Sequence, residues 1–313
     1  IKMSKDFLLE QIKALVPNEY SIELYFLKID KRNQNPYFVF KHTFKNSNYL
    51  PDYINALRDT IIKYQIQPIE YVQKYDGQNS KTSCDKLSVN SQLISEQWNH
   101  LFSSVAGALR EQITGKYQGY LLNCQPQKDG LPSITIVKTG NPLISLAKKD
   151  SKVFRHTALD ELEDLTDELC RLYLVADFIV IGETMYAFNQ KFEGIFRIEK
   201  TLHRLKMQAV EQIMDTAAFV NAEKVQTFMS RYTSPKTFLT LRVQRVEKLK
   251  SFSGRVEIAE LLGLKTDKAK IIIDDQEQAN QLIKYLCYKI LQDKETDNLI
   301  EVSSVINEDV LHK

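Results

Sequence analysis

A chain of 313 residues with 43% hydrophobic and 26% charged residues, and only 10 Gly and 8 Pro, can bury a full core, which excludes a disordered tail or a repeat array. The four cysteines, Cys84, Cys124, Cys170 and Cys287, are too dispersed for a metal knuckle or a secreted disulfide scaffold. No apolar run reaches the roughly 18 residues of a membrane span, so a reduced, cytosolic protein is expected. Net charge is only +2, yet it hides a basic and an acidic cluster, and placement governs the attraction of polyanions more than the sum does.

Met3 is read as the natural start. Ser4 would then cap a helix whose apolar Phe7, Leu8, Ile12, Leu15 and Val16 recur at helical spacing before Pro17. Tyr20 to Ile29 and Tyr37 to Phe44, rich in aromatic and β-branched residues, predict two strands around the polar run Asp30 to Pro36. Pro51 opens a helix to about Tyr64, Ile69 to Tyr75 reads as a strand, and the polar, turn-rich Asp76 to Ser91 reads as a long exposed loop. Ser95 to Arg110 predicts a helix burying Trp98, Leu101, Phe102, Val105 and Leu109.

From Gln118 the texture changes to short strands, Tyr120 to Cys124 and Ile134 to Val137. The class is therefore α+β, with an N-terminal domain over 3–112 and a larger C-terminal α+β domain over 118–313. Asp160 to Tyr173 suggests an acidic helix, and Asp177 to Ile181 with Met185 to Phe188 a hairpin about Gly182-Glu183. Further helices are expected at Lys200 to Met214, Ala222 to Arg231, Ser234 to Lys250 and Gln276 to Gln292, and strands at Lys270 to Ile273 and Leu299 to Val302. Within Ser234 to Lys250 the alternation of Leu239, Leu241 and Val243 also suits a strand, but the flanking helix formers favour a helix.

Catalytic constellations are missing from this pattern. His42, His100, His156, His203 and His312 stand singly, and neither a Gly-rich phosphate loop nor a Gly-x-Ser-x-Gly elbow occurs. No catalytic residue, metal site or cofactor is expected. A nuclease reading with a dispersed metal site rests only on Asp150-Ser151-Lys152, an acid and a lysine two residues apart in a polar stretch.

The positive signal is basic. Between residues 231 and 250, Arg231, Lys236, Arg242, Arg245, Lys248 and Lys250 face one acid, Glu247. On a continuous helix Arg242, Arg245 and Lys248 would fan over an arc of about 120°. A second cluster, Lys148, Lys149, Lys152 and Arg155, is also spaced to meet phosphates. The opposite cluster, Asp160, Glu161, Glu163, Asp164, Asp167 and Glu168, has no local base and suits a basic surface on a protein partner.

One stretch carries more than composition. Asp177 to Ile181, Gly182-Glu183, Thr184 to Phe188 and the following Phe192 and Phe196 resemble the hairpin and helix of the prokaryotic domain family to which the B protein of the Kiwa anti-phage system belongs. The resemblance extends from about residue 118 onward. It implies a homodimeric effector that binds double-stranded DNA and blocks phage DNA replication or expression. It also implies a soluble chain held at the inner membrane through the membrane-embedded partner KwaA. A metal-dependent nuclease and a non-catalytic assembly scaffold stay open as alternatives.

Overall fold

The computed structural model describes residues 5–78, 82–108, 116–144, 154–156, 162–164, 169–292 and 299–301. These divide into a sheet unit, residues 1–74 and 79–197, and a helical unit, residues 75–78 and 198–313. The division follows Arg197 instead of falling between Arg110 and Gln118, where the change of texture suggested it. Strands on both sides of that expected boundary share one sheet, with Leu24 opposite Leu122 and Phe26 opposite Tyr120.

The sheet unit runs α1 (Lys5–Lys13), β1 (Tyr20–Ile29), β2 (Tyr37–His42), α2 (Tyr49–Ile61), β3 (Tyr71–Lys74), β4 (Ser83–Ser88), α3 (Ser95–Ala106), β5 (Gly119–Pro126) and β6 (Ile134–Thr139). It continues with β7 (Leu143–Ile144), β8 (Phe154–His156), β9 (Leu162–Asp164), β10 (Leu169–Cys170), β11 (Phe178–Ile181), β12 (Thr184–Ala187) and α4 (Lys191–Ile195). Eight strands form the main sheet in the order β2-β1-β5-β6-β11-β12-β4-β3, antiparallel except for the parallel β3–β4 pair. The α+β class is as expected.

β5 and β11 are buried along most of their length and β1 along its centre, Leu24 to Leu27, which is why these stretches read as apolar runs and not as an alternation. Leu8 and Ile12 of α1 and Ile54, Leu57 and Ile61 of α2 join one core with Leu24, Phe26, Leu122 and Ile136. Phe196, beyond α4, has its ring centroid 5.5 Å from Phe178 and 6.0 Å from Trp98 of α3.

Two expectations fail here. The loop over Asp76 to Ser91 contains β4, an internal strand whose Ser83, Cys84 and Asp85 are buried. Its sequence, SCDKLS, has no β-branched residue, so only pairing with β12 and β3 makes it a strand. The acidic segment is not helical where it is described: β9 pairs antiparallel with β8, Arg155 opposite Glu163, and β10 pairs with β7. Pairing with other strands satisfies that backbone, and helical leucine spacing cannot reveal it.

The helical unit contains α5 (Ile198–Met214), α6 (Ala222–Ser230), a 3₁₀ turn (Pro235–Thr240), α7 (Val243–Lys248), α8 (Phe252–Leu261), β13 (Lys265–Asp267), β14 (Lys270–Ile272), α9 (Gln276–Leu286), β15 (Ile290–Gln292) and β16 (Leu299–Glu301). Val210, Ile213, Phe219, Val225, Met229, Val246, Leu249, Ile258, Ile271, Leu282 and Leu286 form its core. Lys206 is buried and donates to the carbonyls of Ser230 and Tyr232, capping the end of α6 with a cation. Residues 75–78 belong to this unit. There Gly77 (φ +83°) lies so close to the stem of Lys236 that a Cβ would approach its Cβ to 2.6 Å.

Candidate nucleic-acid interface

The basic run does not lie on one helix. Pro235 starts a 3₁₀ turn, Leu241 and Arg242 are extended (ψ 130° and 114°), and only Val243–Lys248 is α-helical. The helix expected over Thr237 to Gln244 is therefore interrupted, 3₁₀ to Thr240 and α-helical only from Val243, and no strand forms there. Thr240 turns inward and its hydroxyl donates to the carbonyls of Thr237 and Cys287. The expected fan over a continuous helix is replaced by two kinds of base.

The arginines are tied to α9. Arg242 donates its backbone N–H to the Leu286 carbonyl at 3.1 Å, and its guanidinium carbon lies 4.9 Å from the Tyr288 ring centre. Arg245 sits 3.6 Å from the Tyr288 ring centre and 4.2 Å from that of Tyr285. Its Nη1 donates to the carbonyls of Tyr285 and Ile290, the latter at 3.2 Å. Arg245 is thus a cation at the end of α9, where exposed carbonyls and the helix dipole favour positive charge. These stacking tyrosines were missed because Gln276 to Gln292 read as one helix. In the fold α9 stops at Leu286 and the chain reverses at Tyr288 (φ 56°).

The lysines are outside. Lys248 Nζ lies 2.6 Å from Glu257 Oε1 and Lys250 Nζ 2.7 Å from Glu247 Oε1, all four side chains being about half exposed. The Glu257 carboxylate raises the Lys248 pKa, so this lysine stays charged. Exposed pairs of this kind contribute about 0–1 kcal/mol, so a phosphate can displace the carboxylate at little cost. Lys236 is half-buried against Gly77. Of the second basic cluster, Lys148, Lys149 and Lys152 lie outside the described residues, as does Asp150, and only the backbone of Arg155 is placed, in β8. Of the acidic cluster, Asp160, Glu161, Asp167 and Glu168 lie outside them, while Glu163 and Asp164 are in β9.

The most buried ionic centre belongs to the hairpin stretch. Asp177 is 1% exposed and accepts from Lys138 Nζ at 2.9 Å, from the Thr139 backbone N–H at 2.7 Å and hydroxyl, and from Asn189 Nδ2 at 2.8 Å. Burial pushes its pKa up, but these hydrogen bonds outweigh that and hold it below the ordinary value. The donors consume the carboxylate's lone pairs, so Asp177 joins β6, β11 and the start of α4 and is not placed to carry chemistry. Among the described residues no group of three His, Cys, Asp or Glu could hold a metal ion, and no helix is long and apolar enough to cross a membrane.

The profile of the family described as "Kiwa protein KwaB-like" matches residues 127–294, more than half of the chain, from the β5–β6 connection past α9. No curated protein and no solved structure matches the sequence. The chain belongs to the KwaB-like family, that of a component of Kiwa anti-phage defence.

Proposed function

We propose that this KwaB-like chain is the DNA-binding effector of a Kiwa anti-phage complex. Family membership supplies the defence role, and the observation favouring DNA is the concentration of bases in and around α7. Residues 231–250 hold six bases against the single acid Glu247 in a chain of net charge +2. Lys248 and Lys250 stand exposed, and their carboxylate partners are weakly held. Phosphate contacts of this type neutralise the backbone and carry no sequence information, so binding has slight sequence preference. Coating of phage DNA then obstructs its replication or expression. In the same reading the chain is a cytoplasmic homodimer held at the inner membrane by KwaA, onto whose basic surface the acidic segment Asp160 to Glu168 docks.

The test is a titration of random-sequence duplex into the purified chain across a salt series. Affinity should fall linearly on a log–log plot with a slope near 0.9 per phosphate contact. Absence of binding at low salt would leave an assembly scaffold. Plasmid cleavage with Mg²⁺ or Mn²⁺, lost in Asp150→Ala, would replace this reading with a metal-dependent nuclease. Charge reversal across Asp160 to Glu168 should weaken assembly with KwaA while sparing DNA affinity.

A further inference from the structure

Beyond the basic run, the chain makes a helix–turn–helix followed by a hairpin. α7 ends at Lys248, three residues turn the chain, α8 runs from Phe252 to Leu261, and β13–β14 follows. The turn is tight because Ser251 caps α8, its hydroxyl accepting from the Gly254 N–H at 3.0 Å. Gly254 is buried against the end of α7, where a Cβ would meet the Lys248 carbonyl oxygen at 2.2 Å, so only glycine allows this approach.

One side chain then joins all three elements. Arg255 donates through Nε to the Ala269 carbonyl at 2.7 Å and through Nη1 to the carbonyls of Leu249 at 3.0 Å and Lys250 at 3.1 Å. Ala269 and Lys268 form the hairpin tip with φ of 58° and 48°, a two-residue turn normally built from Asn and Gly. Such a conformation in other residues persists only when its surroundings fix it, and the Arg255 guanidinium is such a fixture. Ile271 anchors the base, donating to the Ala218 carbonyl at 2.8 Å and accepting from Val220 N–H at 3.1 Å.

The surface so fixed concentrates exposed lysines at the hairpin and the α7–α8 turn, and carries two exposed apolar side chains, Val243 and Phe252. Lys250, Lys265, Lys268 and Lys270 are exposed, Lys265 lying 3.8 Å from Asp274. The exposed acids Glu257 and Glu260 sit further along α8 and Asp267 beside the hairpin tip, while Phe252 is 67% exposed at the head of α8 and no acid lies between Ser251 and Val256. We infer that α7, α8 and the β13–β14 hairpin form one rigid docking surface for duplex DNA, the start of α8 facing the groove and the hairpin lysines clasping phosphates. This rests on the reading that the chain binds DNA. It also explains slight sequence preference, because Arg255, the residue at the start of α8 able to read a base bidentately, is spent inside the fold. Arg255 is a positioning residue.

The full chain is titrated with a random-sequence duplex over a salt series. Lys268→Ala with Lys270→Ala should lower the log–log slope by about two, near 0.9 for each phosphate no longer neutralised, with the folded spectrum unchanged. Lys268→Glu alone, at the exposed tip, should weaken binding in the same direction. In an Arg255→Gln background the hairpin substitutions should change the slope by less than they do in the unmodified protein, a coupling that loss of stability alone would not produce. If both hairpin variants keep parental slope and affinity while the unmodified chain binds DNA, the hairpin is no part of the surface although the DNA reading stands. If the unmodified chain binds no DNA at low salt, both fall.

Discussion

In the sheet unit Asp177 is 1% exposed and surrounded by Lys138, Thr139 and Asn189, whereas in the helical unit Lys248 and Lys250 are about half exposed and pair only with similarly exposed glutamates. Arg245 stands between these cases, a surface-run base whose guanidinium is taken up by two tyrosine rings and two carbonyls. The contrast teaches that charge density along a sequence does not distinguish cations that hold the fold from cations available to a ligand. Desolvation and the number of donors around each group do.

Removing the most buried charge should show this most strongly. Asp177→Ala leaves Lys138 without its carboxylate at 13% exposure and is expected to cost about 3–5 kcal/mol, read by denaturant unfolding and by hydrogen exchange in β6 and β11. The same carboxylate should make the sheet unit acid-sensitive. Because its folded pKa lies below the ordinary 3.8, its contribution is present above that value and is lost as pH falls through the folded pKa. Thermal melting of the sheet unit should therefore decline below about pH 4 in the unmodified protein, and Asp177→Asn should flatten that part of the decline.

Arg245→Ala should come next, at about 2 kcal/mol in the helical unit, because the charge-assisted bonds to the end of α9 and the ring stacking both disappear. Arg245→Lys should recover only part, since an ammonium cannot stack and fork together. The smallest effect on stability belongs to Lys248→Ala with Lys250→Ala, within about 0.5 kcal/mol, while the DNA salt slope drops by about two. If the lysine variant unfolds and the Arg245 variant does not, the assignment of holding and available cations is reversed.

Strands β1, β2, β5, β6, β11 and β12, helices α1, α2 and α3, and the class of the fold were legible because their apolar periodicity is local and strong. So was the hairpin stretch that signals the family. β4 was not, since SCDKLS becomes a strand only between β12 and β3. The β13–β14 hairpin was only half visible, because Lys268-Ala269 carries no turn signal and takes its conformation beside Arg255.

The sequence by itself determined the presence of a buried core, the basic run and its single acid, and the kinship of the region around Asp177. The tertiary structure alone decided which bases are spent and which are exposed, and that Gly254 and Arg255 draw α7, α8 and a hairpin together. The reason is physical. Local periodicity is set by neighbours three or four residues apart, but whether a cation keeps its hydration is set by carbonyls and rings some 40 residues away, as Arg245 with Tyr285 and Ile290 shows.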